Sequence, residues 1–282
     1  MSAIMMDGKA LAASVKRDVK EKVLTLTRQP TLAVILVGDN PASSIYVRYK
    51  ASDCAECGIR CLDYRLRADT SETEVLALVG ELNRRDDVDG ILIQLPLPPQ
   101  IREQVVQEAI NPGKDVDAFH PENVGRIMQF APRFLPCTPA GVMALLRRYG
   151  IDPAGRECVV VGRSNIVGKP MALLLLQAHG TVTVCHTRTP DLASVCRRAD
   201  ILISAAGLPG LIRSDMVRRG AAVVDVAINR GVDGKLCGDV DAAVADKASY
   251  LTPVPGGVGP MTRAMLLVNT LRAAQMQQLL TR

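Results

Sequence analysis

Apolar, β-branched runs alternate with amphipathic stretches from end to end of the chain. Runs at 31–37, 60–66, 90–95, 158–161, 181–185, 201–204 and 222–226 predict strands. Between them, apolar positions recurring every three to four residues predict helices at 8–28, 43–57, 71–85, 139–149 and 168–178, with a last one at 261–280. Strands alternating with helices imply an α/β protein with a parallel, doubly wound sheet. Uninterrupted runs such as 33–37 and 158–161 suit strands covered on both faces. The alternation breaks at 111–139, a segment rich in Pro, Gly, Asp and Asn with little periodicity. Long segments of that kind tend to be functional or to join domains. The boundary is expected at its end, giving a first domain of 1–139 plus 262–282 and a second of 140–261, with the last helix packing back on the first.

With 282 residues there is enough chain for two domains and a substantial core. Apolar residues make up 48%, but aromatics only 3%, so Leu, Val, Ile and Ala must fill that core. The scarcity of aromatics argues against a single-strand nucleic-acid binder, which stacks bases on exposed rings. The net charge of +5 is scattered, and no recognition motif accompanies it. Such a field suits an anionic small molecule, and no nucleic-acid partner is expected. The longest strongly apolar run, 171–176, is far too short to span a bilayer, and residues 1–9 lack the apolar segment of a signal peptide. No membrane partner and a cytoplasmic location are therefore expected, with the eight cysteines as reduced thiols. Cys54 and Cys57 form a lone C-x-x-C with Cys61 nearby. Without a second ligand pair they read as buried structural thiols, and no metal is expected.

The stretch from Val159 to Pro170, VVVGRSNIVGKP, reads as strand, turn and helix start. Glycine at a strand end lets backbone N–H groups approach a pyrophosphate, and a following helix N-terminus adds free donors and a favourable dipole. The spacing is not G-x-G-x-x-G, so a plain structural turn remains open on this stretch alone. The next strand ends in His186, Thr187 and Arg188. A site for NAD usually places a carboxylate there to bind the ribose hydroxyls. None is present, and Thr187 and Arg188 with Arg163 suit a 2′-phosphate, so NADP is the inferred cofactor. A further turn, from Ala205 to Gly210, follows the strand at 201–204.

In the first half, Tyr46 and Lys50 lie four apart and share a helix face at the edge of an apolar stripe through Val47, Ala51 and Cys54. A lysine lining a cleft there would have its pKa lowered by desolvation and serve in proton transfer. From spacing alone, the plainer reading is an amphipathic helix whose lysine snorkels to water. A Ser is expected to cap this helix and Gly58 to stop it. Gln94 ends a buried strand, so its amide is satisfied by backbone or aimed into a site. Asp115 and Asp117 lie in one loop, where each suits a turn cap or an acceptor for a heterocycle's N–H pair. His120 is left unassigned.

Six stretches in this order, 44–50, 91–98, 114–119, 136–141, 162–170 and 252–262 (TPVPGGVGPMT), resemble the bifunctional methylenetetrahydrofolate dehydrogenase/cyclohydrolase family over essentially the whole chain. The resemblance implies two α/β domains, the second of Rossmann type, with a cleft between them. It implies NADP-dependent oxidation of 5,10-methylenetetrahydrofolate to the methenyl form, hydrolysis of that product to 10-formyltetrahydrofolate, and a homodimer. Lys50 matches the family's catalytic lysine, Tyr46 its partner in the folate pocket, Gln94 the amide orienting the lysine, and Asp117 the carboxylate anchoring the pterin. Leu95, Pro255, Gly256 and Gly257 complete the implied substrate set, the last three in the turn closing the site. The implied cofactor set is Gly162, Arg163, Ser164, Ile166, Val167, His186, Thr187, Arg188, Ala206, Gly207 and Ile228. Two positions depart from the family: Ala118 stands where DVDG is common, and Ala227 where DVGIN is usual. Another NADP-dependent dehydrogenase of this architecture would not require the Tyr46, Lys50, Gln94 and Asp117 set, and a non-catalytic dinucleotide module would not require Lys50 and Gln94.

Overall fold

The computed structural model describes residues 2–231 and 234–280. Its first part runs β1 (Ile4–Met5), α1 (Gly8–Val23), β2 (Thr31–Val37), α2 (Pro41–Glu56), β3 (Arg60–Leu66), α3 (Glu72–Arg84), β4 (Gly90–Ile93), α4 (Glu103–Ala109) and α5 (Pro121–Met128). There follow α6 (Cys137–Arg148), β5 (Glu157–Val161), α7 (Gly168–Gln177), β6 (Thr181–Cys185), α8 (Leu192–Arg197), β7 (Ile201–Ser204) and β8 (Ala222–Asp225). The chain ends with β9 (Asn229–Arg230), β10 (Leu236–Cys237), β11 (Tyr250–Leu251) and α9 (Val258–Leu280). Among the described residues no helix is long and apolar enough to cross a membrane. The chain divides into two compact units: Ser14–Leu135 with Arg263–Arg282, and Met1–Ala13 with Pro136–Thr262. The first thirteen residues therefore group with the second half, not with the first as expected from sequence.

In the unit spanning 14–135, three parallel strands lie in the order β3-β2-β4. Every residue of β2 is buried, as an uninterrupted apolar run at the centre of a covered sheet must be. Val75, Val79 and Leu82 of α3 pack on Ala33, Ile35 and Ile91, at about 1.5–3 kcal/mol for each large side chain removed from water. A capping box starts α3: Ser71 Oγ accepts from the Glu74 N–H, and Glu74 reaches back to the Ser71 N–H. Asp89, wholly buried, accepts from both Arg28 guanidinium nitrogens at 2.9 and 2.6 Å and from the Thr31 N–H at 2.8 Å. Such a bidentate pair ties the strand entrance together because each charge compensates the other's loss of water.

The other unit holds a six-stranded, all-parallel sheet in the order β1-β11-β8-β7-β5-β6. From β5 the chain goes out to β6 on one side and then returns to β7 on the other. The winding direction reverses there, which opens a crevice beyond the carboxyl ends of β5 and β7 where open α/β sheets bind ligands. Cys196, Ala199, Met216, Val217 and Val244 belong to one apolar cluster with Val159 and Val161 of β5, Leu202 of β7 and Val223 of β8.

Several expectations need correction. Asn40, not a serine, caps α2: its Oδ1 accepts from the Ser43 N–H at 3.2 Å, and Pro41 occupies the first helical position. Gly58 stops α2 as expected, with φ +74° and the Ile59 N–H reaching back to the Cys54 carbonyl. The segment 111–139, expected to be irregular, contains α5, whose eight residues are too few to display a helical period. α1 ends at Val23 rather than continuing to 28. β4 stops at Ile93, before Pro96, which has no N–H to offer a ladder.

Candidate active site

Lys50 and Gln94 meet although 44 positions separate them. Lys50 lies in the third turn of α2, half-buried, and its Nζ donates to Gln94 Oε1 at 3.0 Å. The amide has one orientation open to it. Its Nε2 donates to the Leu95 carbonyl at 2.8 Å, while the Gln94 backbone N–H continues the β2 ladder by donating to Ile35. The acceptor end therefore faces the ammonium group, and the lysine is held at the carboxyl end of β4. Tyr46 stands one turn earlier on the same helix, 36% exposed, so its ring borders open space. Tyr49, which the sequence reading passed over, lies under the Arg263 guanidinium at 4.7 Å.

The loop carrying Asp117 is built around Asp115. A parallel bridge of Asp115 to Ile91 lays the loop along β4, and a Cβ at Gly90 would come within 2.7 Å of the Val116 side chain, so only glycine admits this approach. The buried Asp115 carboxylate accepts from the His120 N–H and from Asn123 Nδ2, both at 2.8 Å. Burial pushes its pKa up, and those two donors counter it. His120, unassigned from sequence, caps α5 by accepting from the Glu122 N–H. From α9, Asn269 donates to the carbonyls of Val116 and Leu135. Asp117 sits half-buried in this loop.

Ala118, buried in that loop, has φ +61°. Glycine there would relieve about 1–2 kcal/mol of left-handed strain, but would lose about 0.8 kcal/mol of methyl burial and add about 0.4–1 kcal/mol of freedom to the unfolded chain. These effects nearly cancel. Ala118→Gly is therefore expected to unfold within about 1 kcal/mol of the parent and to keep turnover within about tenfold. Denaturant titration and steady-state assay check this, and a turnover rise of orders of magnitude refutes it. Ala227, the other departure, is not among the positive-φ residues, so its methyl costs the backbone nothing.

In the other unit, Gly162 leaves β5 with φ +121°, and a Cβ there would lie 2.3 Å from the Ala205 carbonyl oxygen. A Cβ at Gly168 would lie 2.2 Å from the Gly162 oxygen. The two glycines let the loop, the start of α7 and the loop after β7 press together. Ser164 Oγ accepts from the N–H groups of Val167 and Gly168 at 3.2 and 3.3 Å, shaping the entry to α7. Arg163, Asn165 and Ile166 are exposed along its rim. After β6, His186 Nδ1 accepts from the Arg188 N–H, leaving Thr187 and Arg188 exposed, with no carboxylate in that turn. After β7, Ala206 and Gly207 form a turn in which Gly207 has φ +71°. Ile228, 44% exposed, follows β8. Gly256 (φ +111°) accepts from the Lys9 N–H, and a Cβ at Gly257 would lie 2.7 Å from the Pro253 oxygen.

Two buried carboxylates, Asp225 at the end of β8 and Asp239 after β10, escaped the sequence reading. Asp225 accepts from the N–H groups of Ala227, Asp239 and Val240, and burial pushes its pKa up to about 6. Asp239 takes donors from the turn after β7. The sequence signal was present in the pattern Gly-Asp-Val-Asp at 238–241, but a lone Asp in a polar stretch also reads as a turn residue. Among the described residues no cluster of three or more His, Cys, Asp or Glu side chains is placed to hold a metal.

Comparison with known proteins covers both units. Residues 6–117 match the tetrahydrofolate dehydrogenase/cyclohydrolase catalytic domain, and 136–278 match the NAD(P)-binding domain of the same family. The chain is 55% identical over 278 residues to the bifunctional protein FolD of Magnetococcus marinus, covering 97% of this chain and 98% of that one. Among solved structures, it resembles the bifunctional methylenetetrahydrofolate dehydrogenase/cyclohydrolase of Campylobacter jejuni with a TM-score of 0.96, at 53% identity and coverage of 98% and 99%. It resembles the Trypanosoma brucei enzyme, solved with NADP cofactor and inhibitor, with a TM-score of 0.94 at 40% identity, covering 98% of each chain.

Proposed function

The chain belongs to the tetrahydrofolate dehydrogenase/cyclohydrolase family, and from that premise we propose that it oxidises 5,10-methylenetetrahydrofolate with NADP and hydrolyses the methenyl product to 10-formyltetrahydrofolate. The observation that carries the reading is the 3.0 Å contact of Lys50 Nζ with Gln94 Oε1, which holds an amine at the end of β4 beside the Asp117 loop. Hydrolysis of a methenyl cation passes through a tetrahedral adduct, and opening its ring needs protons delivered and removed. Lys50 is the group assigned to those transfers, Gln94 holds it in place, and Tyr46 borders it. Asp117 is assigned to accept the N–H pair of the pterin, with Leu95 lining the substrate.

The second unit fits NADP. Gly162 lets the loop after β5 press on the Ala205 backbone after β7, α7 begins six residues later at Gly168, and the turn after β6 offers Thr187 and Arg188 with no carboxylate to repel a 2′-phosphate. Gly162, Arg163, Ser164, Ile166 and Val167 would hold the phosphates, His186, Thr187 and Arg188 the 2′-phosphate, and Ala206, Gly207 and Ile228 the remainder. When bound, NADP supplies the hydride acceptor. The chain's own part in oxidation is orientation of the methylene carbon, whose flanking nitrogens already stabilise the positive charge that develops.

The test is one assay with methylenetetrahydrofolate that compares NADP with NAD and follows methenyl and formyl products separately. Faster reduction of NADP than NAD, with formyl product accumulating above the spontaneous rate, is the expected result. Reduction without accelerated hydrolysis would remove Lys50 from its role, and no reduction with either cofactor would overturn the folate assignment. The reading includes a homodimer in the cytoplasm. Eight free cysteines support the location, and sedimentation of the purified protein tests the dimer.

A further inference from the structure

Asp239 is wholly buried, yet its carboxylate gathers five donors. Oδ2 accepts from Ser204 Oγ at 2.9 Å and from the N–H groups of Ala206 and Gly207 at 2.8 and 3.2 Å. Oδ1 accepts from the Leu208 N–H at 2.7 Å and from Asn229 Nδ2 at 3.0 Å. A carboxylate has about four lone-pair sites, so this one is saturated. Its own backbone is fixed in turn. The Asp239 N–H donates to Asp225 Oδ1, the Asp239 carbonyl accepts from the Ile212 N–H, and the Asp241 N–H donates back to Ile212. A Cβ at Gly238 would sit 1.9 Å from Asp225 Oδ2, so the chain reaches this depth only because that residue is glycine.

A group buried to this degree touches no ligand. It acts on the three consecutive backbone N–H groups of the turn after β7, at the crevice where the sheet reverses its winding. Turning those N–H groups inward fixes the path of Ala206 and Gly207 and the outward face they offer. We propose that Asp239 is a positioning residue for the dinucleotide: it shapes the 205–208 turn against which the cofactor binds, and so governs cofactor affinity while leaving the hydrolytic site untouched. The inference rests on the reading that Ala206 and Gly207 contact NADP.

The test is Asp239→Asn, which keeps the volume but turns an NH2 toward donors. The KM for NADP is expected to rise about tenfold to a hundredfold, with kcat at saturating NADP changed far less. Hydrolysis of methenyltetrahydrofolate, assayed without NADP, should stay within about twofold of wild type, as it does not use this turn. An unchanged KM for NADP, or a parallel loss of both activities, overturns the proposal. If Asp239→Asn fails to fold, Ser204→Ala removes one donor and no charge. It should raise the KM for NADP severalfold with hydrolysis intact, and no change would be equally fatal. Wild-type protein that fails to reduce NADP would instead point to the folate reading as the error.

Discussion

Replacing Lys50 by Met is expected to slow hydrolysis of methenyltetrahydrofolate by at least about a hundredfold, the lower bound for losing a positioned proton-transfer group. Met matches the length of the lysine stem and is a good helix former, so α2 should persist. What disappears is the charge, the exchangeable protons and the hydrogen bond to Gln94 Oε1. Gln94 keeps its bond to the Leu95 carbonyl, so the strand end should not rearrange. Hydride removal needs no proton at this position, and dehydrogenase activity should therefore fall much less than hydrolysis. Separate assays of the two steps decide the matter. Hydrolysis within about threefold of wild type would exclude Lys50 as the acid–base group.

Gly162→Ala should damage the other half. The added Cβ would lie 2.3 Å from the Ala205 oxygen and 2.9 Å from its carbon, both backbone atoms that cannot swing away like a side chain. The φ of +121° is also one that alanine rarely adopts. Backbone strain and overpacking together should cost about 2–4 kcal/mol. The loops after β5 and β7 must separate to relieve it, so the KM for NADP should rise by at least about tenfold, which is about 1.4 kcal/mol of lost binding. Gly207→Ala is the control, since its Cβ would meet open space. It bears only the left-handed penalty of about 1–2 kcal/mol. Equal stability losses for the two variants, measured by denaturant titration, would mean that close approach at Gly162 is not what matters.

Most of the seven longer strands were legible because they are apolar runs bounded by turn residues, while Arg60–Leu66 instead mixes charged and apolar positions. Thr31–Val37, Arg60–Leu66, Thr181–Cys185 and Ile201–Ser204 form where the pattern predicts them. The short elements were not legible. Ile4–Met5 and Tyr250–Leu251 have two residues each, too few for any period, and exist because they pair with one another and with β8. The short helices α4, α5 and α8 depend on caps and neighbours rather than pattern, as the His120 cap of α5 shows. Within the candidate site, Lys50, Gln94 and Asp117 were named from spacing and resemblance, but spacing cannot say that Nζ meets Oε1. Asp225 and Asp239 were missed for a different reason: an Asp in such a stretch reads equally as a turn residue, and their partners are mostly backbone N–H groups of loops that only the finished sheet brings near.

The pairing of β1 with β11 also dictates an order of events during synthesis. Ile4 is made long before its strand partner, Tyr250. At about 5–20 residues per second, the leading segment waits on the order of tens of seconds for an edge to join. Meanwhile the 14–135 stretch already contains all three strands of its own sheet and can close locally. The six-stranded sheet is therefore the late-completing one, with its outermost strand the last to be added. Long-range closure of this kind slows folding more than it weakens the finished protein. A ribosome-bound chain stalled before β11 would be expected to show the first sheet protected from exchange and the β1 segment still open to protease.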